Sequence, residues 1–276
     1  ASVGGPWRDN TYPGCRCDVP SHLYSLSAVP NPGWTRAFSK QPEIHAYLQD
    51  TANRSGVIEH VRLNTEMADA RWDGKAKEWR IETTTGPLRA KYLVTAIGGL
   101  VEPRLPDIPG LADFEGEVFH SARGNHDYDL SGKRVAAIGT GASAIQFVPR
   151  IQPEVEELHL FQRTPAWIAP LRDRPITSVE RALFRRFPRL QEAMRGAIFW
   201  SRETLVLGLV KRPRLMNLIQ KAAEMHLRRQ VRDPELRAKL TPDYTIGCKR
   251  ILISNDFYPA VTKPNVELHA EGLAEV

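Results

Sequence analysis

Gly139-Thr140-Gly141-Ala142-Ser143-Ala144 is where residue type and spacing in this 276-residue chain point most directly at chemistry. An apolar, β-branched run from Val135 to Ile138 precedes it, and a helix-forming run to Val148 follows. The pattern is GxGxxA at a strand-to-helix turn. In such a turn the first glycine permits the tight bend and the second lets backbone approach a pyrophosphate. The third position must be small so that helix packs on strand. Free N–H groups at the helix start favour the phosphates. A second strand, Glu157 to Phe161, leads into Gln162-Arg163-Thr164. An NAD site usually carries Asp or Glu there, about 20 residues beyond the glycines, for the ribose 2′-hydroxyl. A guanidinium and a hydroxyl suit a 2′-phosphate instead, which a carboxylate would repel. The segment reads as an NADP(H) site, set against a structural βα turn with a solvated arginine.

The rest of the chain must position that turn. Its length suffices for one large or two ordinary domains with a sizeable core. The net charge is +6, and basic residues crowd the stretch from Arg181 to Arg229, Arg212 and Arg214 among them. Apolar residues separate them at helical spacing, and no aromatic platforms, zinc motif or helix-turn-helix accompany them. A solvated helix face fits this better than a nucleic-acid partner. Three cysteines do not make a disulfide scaffold. Cys15-x-Cys17 lacks a nearby histidine or second pair, so no metal is assigned. Reduced thiols, no signal segment, and apolar runs such as Leu205 to Val210 far short of the roughly 20 residues of a membrane span predict a soluble, cytoplasmic protein. The oligomeric state is unreadable. Both ends, Ala1-Ser2-Val3 and Ala274-Glu275-Val276, read as cut, so a fragment is expected.

Along the chain, residues 4 to 34 are loop-rich and a helix is expected from Gln41 to Ser55, with Pro42 in its first turn. Strands are expected at Val57 to Leu63, Ala68 to Trp72, Trp79 to Thr84 and Leu88 to Ile97, with a hairpin at Asp73-Gly74. A proline-rich linker follows Gly98-Gly99, and the nucleotide unit runs from Gly132 to Arg163. Residues 177 to 240 are helical; strands resume at Tyr244 to Ser254 and Val266 to His269. An α/β scaffold interrupted by a helical insertion fits this order.

Several segments together resemble the flavin-dependent class B monooxygenases, Baeyer–Villiger monooxygenases above all. Gly4-Gly5-Pro6-Trp7 is similar to the family's GGTW segment, and Tyr12-Pro13-Gly14-Cys15-Arg16-Cys17-Asp18 to its YPGxRCD segment. Ala96-Ile97-Gly98-Gly99 with Pro103 and Pro106-x-Ile108-Pro109-Gly110 looks like its strand-end turn between nucleotide domains. Phe114-x-Gly116-x-x-x-His120 matches the start of its FxGxxxHxxxW fingerprint, and Gly247-Cys248-Lys249-Arg250 its lysine–arginine pair.

The resemblance implies an α/β fold of two Rossmann-like dinucleotide-binding domains. Residues 1–126 would contribute an incomplete FAD-binding domain, and 127–276 an NADP-binding domain with the insertion at about 177–240. It implies that NADPH reduces FAD, that a C4a-peroxyflavin forms with O₂, and that a ketone becomes an ester or lactone. Arg250 would be the catalytic guanidinium beside the peroxide, Asp18 the carboxylate that pairs with it, and His120 a residue coupling the domains. Gly4, Gly5, Trp7, Tyr12 and Asp18 would lie against FAD. Gly139, Thr140, Gly141, Ser143 and Gln146 would line the pyrophosphate and nicotinamide, and Arg163, Thr164 and Lys249 the 2′-phosphate. Two departures stand out: Gly124 holds the fingerprint's tryptophan position, and Pro6 replaces a threonine. N- or S-oxygenation of a heteroatom substrate, and an inactive NADP-binding fragment, are the alternative readings.

Overall fold

The computed structural model describes residues 2–211 and 213–276. Ala1 and Arg212 lie outside the described residues, as do the side chains at 207, 209 and 213–215, Arg214 included. Two short helices, α1 (Pro6–Asp9) and α2 (Ser21–Tyr24), precede the longer α3 (Gln41–Arg54), where Pro42 occupies the first turn as expected. An antiparallel meander follows: β1 (Met67–Asp73), β2 (Glu78–Thr83) and β3 (Leu88–Ala90). Its hairpin forms at Asp73, whose carboxylate accepts the Lys75 and Ala76 amides.

The nucleotide unit comprises β4 (Arg134–Ile138), α4 (Ala144–Ile151) and β5 (Glu157–Phe161). After β5 come the short β6 (Ile168–Ala169), then helices α5 (Ser178–Arg186), α6 (Pro188–Val210), α7 (Pro213–Gln230) and α8 (Pro234–Lys239). The short β7 (Leu252–Ile253) pairs in parallel with β6, and α9 (Phe257–Val261) leads to β8 (Val266–His269). Strands β4, β5 and β8 form a parallel sheet in that order. The fold is α/β, with parallel and antiparallel sheets, and the helical insertion lies between two neighbouring parallel strands.

Alternation along β5 explains how this sheet is seated. Leu158 and Leu160 are fully buried, whereas His159 and Phe161 face the other side and keep some exposure. Ala144, Ile145, Val148 and Ile151 repeat at helical spacing on the buried side of α4 and meet those leucines in the main core, with Val231, Leu240, Phe257 and Val261. A separate cluster of Cys17, Trp34, Ile44, Tyr47 and Ile176 seats the N-terminal segments on α3. Asp173 fastens the two regions by accepting from Arg36 Nε at 2.7 Å and from the Phe38 amide at 3.2 Å.

The basic insertion is largely a solvated helix surface, with Arg185, Arg186, Arg202 and Arg229 exposed. Arg195 departs from this: its guanidinium donates to the carbonyls of His22, Leu23 and Ser25, closing the C-terminal end of α2. Among the described residues, no helix is long and apolar enough to cross a membrane.

The insertion begins with a capping box. Thr177 Oγ1 accepts the Glu180 amide, and the Glu180 carboxylate accepts the Thr177 amide. Glu180 also accepts both Arg174 nitrogens, and that guanidinium, with the Thr177 amide, holds its carboxyl down from 4.5 to about 2. A depressed carboxyl pKa stabilises the fold above the unfolded value, and the gain disappears as pH falls through the folded value. Glu180→Gln should therefore flatten the pH dependence of the urea midpoint between pH 4.5 and about 2. Because the pair is part-exposed, the loss at pH 7 should be about 1 kcal/mol. A variant that retains the wild-type slope would remove Glu180 as its cause.

Three expected strands differ. Val57 to Leu63 is instead a 3-10 turn over Val57–His60 followed by loop, and Leu88 to Ile97 pairs only as far as Ala90. From Tyr244 to Ser254 only Leu252–Ile253 is strand. Apolar and β-branched sequence favours a strand only where a neighbour accepts its hydrogen bonds. Beyond Ala90 no such neighbour is paired among the described residues, and Tyr92, Val94, Ile97 and Leu100 are exposed by 76–85%. Gly247, at φ +97°, turns the chain just before β7.

Candidate functional site

The GxGxxA turn forms as its residue types require. Gly139 sits at φ +96°, and its amide donates to the Phe161 carbonyl at 2.8 Å, tying the turn to the end of β5. A Cβ built on Gly141 would meet nothing within 4 Å, so the backbone there faces open space. Ser143 is the N-cap of α4 and makes no capping hydrogen bond with its side chain. The Ile145 and Gln146 amides are already spent on the Gly141 and Ser143 carbonyls, so it is the amides of the turn itself, ahead of α4, that a pyrophosphate would meet.

Thr140 is arranged differently from a phosphate ligand. Its buried hydroxyl donates to Gln162 Oε1 at 3.3 Å, and Gln162 Nε2 donates to the Lys239 carbonyl at 2.9 Å. Only the Thr140 backbone remains for a cofactor. Gln162, 2% exposed, is a positioning residue that sequence reasoning missed. It braces the turn from beneath while its neighbour Arg163 stays exposed and Thr164 is half-buried. No carboxylate stands at Gln162, Arg163 or Thr164, so this strand end fits a 2′-phosphate.

Lys249 approaches the same strand end through Tyr244. Its ammonium lies 4.6 Å from the Tyr244 ring centre, and the Tyr244 hydroxyl donates to the Pro165 carbonyl at 3.2 Å. Trp167 Nε1 donates to the Tyr244 carbonyl at 2.8 Å and fixes the tyrosine's backbone. A cation stacked on an aromatic face keeps its charge and its donors. Tyr244 is a second positioning residue absent from the sequence reading.

Gln146, expected to line the cofactor, joins the N-terminal segment to α4. Its Oε1 accepts from the Tyr12 hydroxyl and the Arg16 amide, and its Nε2 donates to the Arg16 carbonyl. Gly14 is required by this contact: it sits at φ +81°, and a Cβ there would lie 2.6 Å from the Gln146 carbonyl. Cys15 and Cys17 flank Arg16 in the core, and burial pushes the Cys17 thiol up to about 11, so it packs as a neutral thiol. Burial also raises the Tyr12 phenol, which acts here as a hydrogen-bond donor.

Two residues beyond Arg16, Asp18 pairs with Arg250, whose Nη2 donates to the carboxylate. The pair joins the N-terminal segment to the chain after the insertion. The Arg250 side chain remains 62% exposed, so its other donors are free to face a ligand. Gly4, at φ +134°, packs against His45, and Gly5 borders open space. Trp7 packs on the Trp34–Tyr47 cluster and donates to the Tyr24 hydroxyl at 2.6 Å.

His120 caps the 3-10 turn Ser121–Arg123, its Nδ1 accepting the Ala122 amide at 3.1 Å. Among the described residues no hydrogen bond joins it to Asp18 or Arg250. At Gly124 a Cβ would find Phe119 and His126 at 3.8–3.9 Å, in ordinary contact. His126 in turn meets Thr11 Oγ1 at 2.5 Å, so the linker is fastened to the N-terminal segment beside the missing tryptophan.

Residues 22–198 match the family model described as pyridine nucleotide-disulphide oxidoreductase. The chain belongs to that family. It is 54% identical over 275 residues to a Baeyer-Villiger monooxygenase of Streptomyces coelicolor, and 51% over 277 residues to one of Pseudomonas aeruginosa. Each alignment takes in 100% of this chain, but the chain spans only 53% of those relatives. The solved structure of OTEMO in complex with FAD and NADP superposes on 98% of the chain at a TM-score of 0.82 and 29% identity. The chain covers 59% of that structure.

Proposed function

We propose that this chain belongs to an NADPH- and O₂-dependent flavin monooxygenase that converts a ketone into an ester or lactone. The observation that carries the reading is the Asp18–Arg250 pair, two residues from Arg16, which Gln146 ties to the helix that follows the glycine turn. The monooxygenase relatives, and the FAD and NADP of the OTEMO structure, support the choice of cofactors. Residues 1–126 and 127–276 are assigned to the FAD and NADP units, and the free cysteines fit the cytoplasm.

Bound FAD and NADPH supply the hydride transfer and the activation of O₂. The turn amides ahead of α4 would hold the pyrophosphate, and Arg163, Thr164 and Lys249 would hold the 2′-phosphate. Arg250 stays protonated and offers several donors to negative charge that develops at the reacting carbonyl. Asp18 holds that guanidinium in place, while Gly5, Trp7 and Tyr12 shape the flavin side and His120 orders the linker.

The full-length protein should purify yellow and oxidise NADPH faster when a ketone is present. Mass spectrometry and NMR of the product should show an ester or lactone carrying one added oxygen. Colourless protein would reject the flavin reading, and N- or S-oxides alone would reject the ketone reaction. Gly124, at the position of the fingerprint's tryptophan, is the residue that keeps heteroatom oxidation in the screen.

A further inference from the structure

The polar face of the parallel sheet carries a cluster that no nucleotide or flavin role uses. His159 on β5 stands opposite Glu267 on β8, and Phe161 stands opposite His269 in the same register. Because side chains two apart on a strand share a face, His159, Glu267 and His269 converge on one side. Their ligand atoms form a compact triangle. His159 Nδ1 lies 3.2 Å from His269 Nε2 and 3.4 Å from Glu267 Oε2, and the latter two are 3.8 Å apart. We propose that His159, Glu267 and His269 form a binding site for a divalent transition-metal ion of the zinc type.

The spacing is what a first coordination shell requires. A point equidistant from three atoms so placed lies about 2.0 Å from each, which is the length of Zn–N and Zn–O bonds. Two imidazoles and a carboxylate also suit Zn(II), Ni(II) or Cu(II) far better than Mg(II) or Ca(II), which favour oxygen. The shell around the ligands is ordered as well. Glu157 Oε2 lies 3.4 Å from His159 Nε2, so it can hold the proton there and leave Nδ1 as the lone pair. Phe161 stacks on the His269 ring at 4.6 Å between centres and 15° between planes, fixing its orientation. Without metal, with His159 protonated on Nε2, the hydrogen between the imidazoles is the one on His269 Nε2; a cation would replace that contact, with His269 then carrying its proton on Nδ1. The side chains are 26–66% exposed, leaving the fourth position to water and an open path for entry. The ion would staple β5 to β8 four residues before Arg163.

Titration of tag-free, chelator-treated protein with zinc chloride in a calorimeter tests the site, with cobalt chloride followed by visible absorption. One Zn(II) per chain is expected, and a cobalt spectrum without a thiolate charge-transfer band. His159→Ala and His269→Ala should each weaken binding by more than about 100-fold, and Glu157→Gln by about 10-fold. Glu267 is 66% exposed, so Glu267→Gln keeps the fold and still lowers affinity. Circular dichroism of each variant separates lost binding from lost folding. Absence of saturable binding, or unchanged affinity in a folded His159→Ala/His269→Ala double variant, would overturn the site. A thiolate band abolished by Cys248→Ser would place the metal elsewhere and overturn it equally.

Discussion

Arg250→Ala in the full-length protein should lower ester formation by about 10²–10³-fold, the usual cost of removing one fixed donor from developing negative charge. NADPH oxidation should continue, uncoupled from product, because the proposed 2′-phosphate set of Arg163, Thr164 and Lys249 is left intact. The structure explains why the loss would be large. Asp18 takes one nitrogen of the guanidinium, and the Arg250 side chain is otherwise 62% exposed. Arg250→Lys should recover only part of the rate, since an ammonium keeps the charge but cannot hold the carboxylate and face a ligand with a planar fork. Product quantified against NADPH consumed reads the split. Equal ester yields from wild type and Arg250→Ala would remove Arg250 from the chemistry.

Coenzyme preference is expected to respond as sharply to Arg163. Arg163→Ala should raise KM for NADPH by about 10–100-fold, equivalent to losing charge-assisted hydrogen bonds of about 1.5–3 kcal/mol. KM for NADH, which has no 2′-phosphate, should change less than about twofold. The rigid support beneath the strand end makes this separation clean. Gln162 stays locked between Thr140 and the Lys239 carbonyl, so removing the exposed neighbour leaves the turn in place. Steady-state kinetics with both coenzymes decide it: parallel losses for NADPH and NADH would show that Arg163 supports the fold and not the phosphate.

The parts of the fold that were legible in the sequence are those built from local pattern. Glu157–Phe161 and Val266–His269 are strands over the expected residues, because alternation in β5 already separates a core face from a polar one. The helix from Gln41 ends one residue early, and the insertion folds into the successive helices α5 to α8 because its apolar residues recur at helical spacing. Strand signals at 57–63 and 91–97 had no partner to pair with, and partnership is not a property of a segment. The site divides along the same line. Residue types marked the glycine turn, Arg163 and the Asp18–Arg250 pair. They did not reveal how neighbours spend a side chain: Thr140 turned inward, Gln146 holding Arg16, His120 capping its own turn. The histidine–glutamate triangle was equally hidden, since its ligands are 110 residues apart and meet only across paired strands.

The Asp18–Arg250 contact has a kinetic side as well, for its partners are 232 positions apart in sequence. Closing a loop of that length costs entropy that one exposed ion pair cannot offset. The contact is therefore expected to form after β4, β5 and β8 have assembled and both anchoring segments have docked. Long-range contacts of this kind slow folding and are late to appear. The same order runs backward under stress: partial opening of either segment separates the pair while the sheet is still intact. Catalytic competence is then a more sensitive reporter of incipient unfolding than secondary structure is.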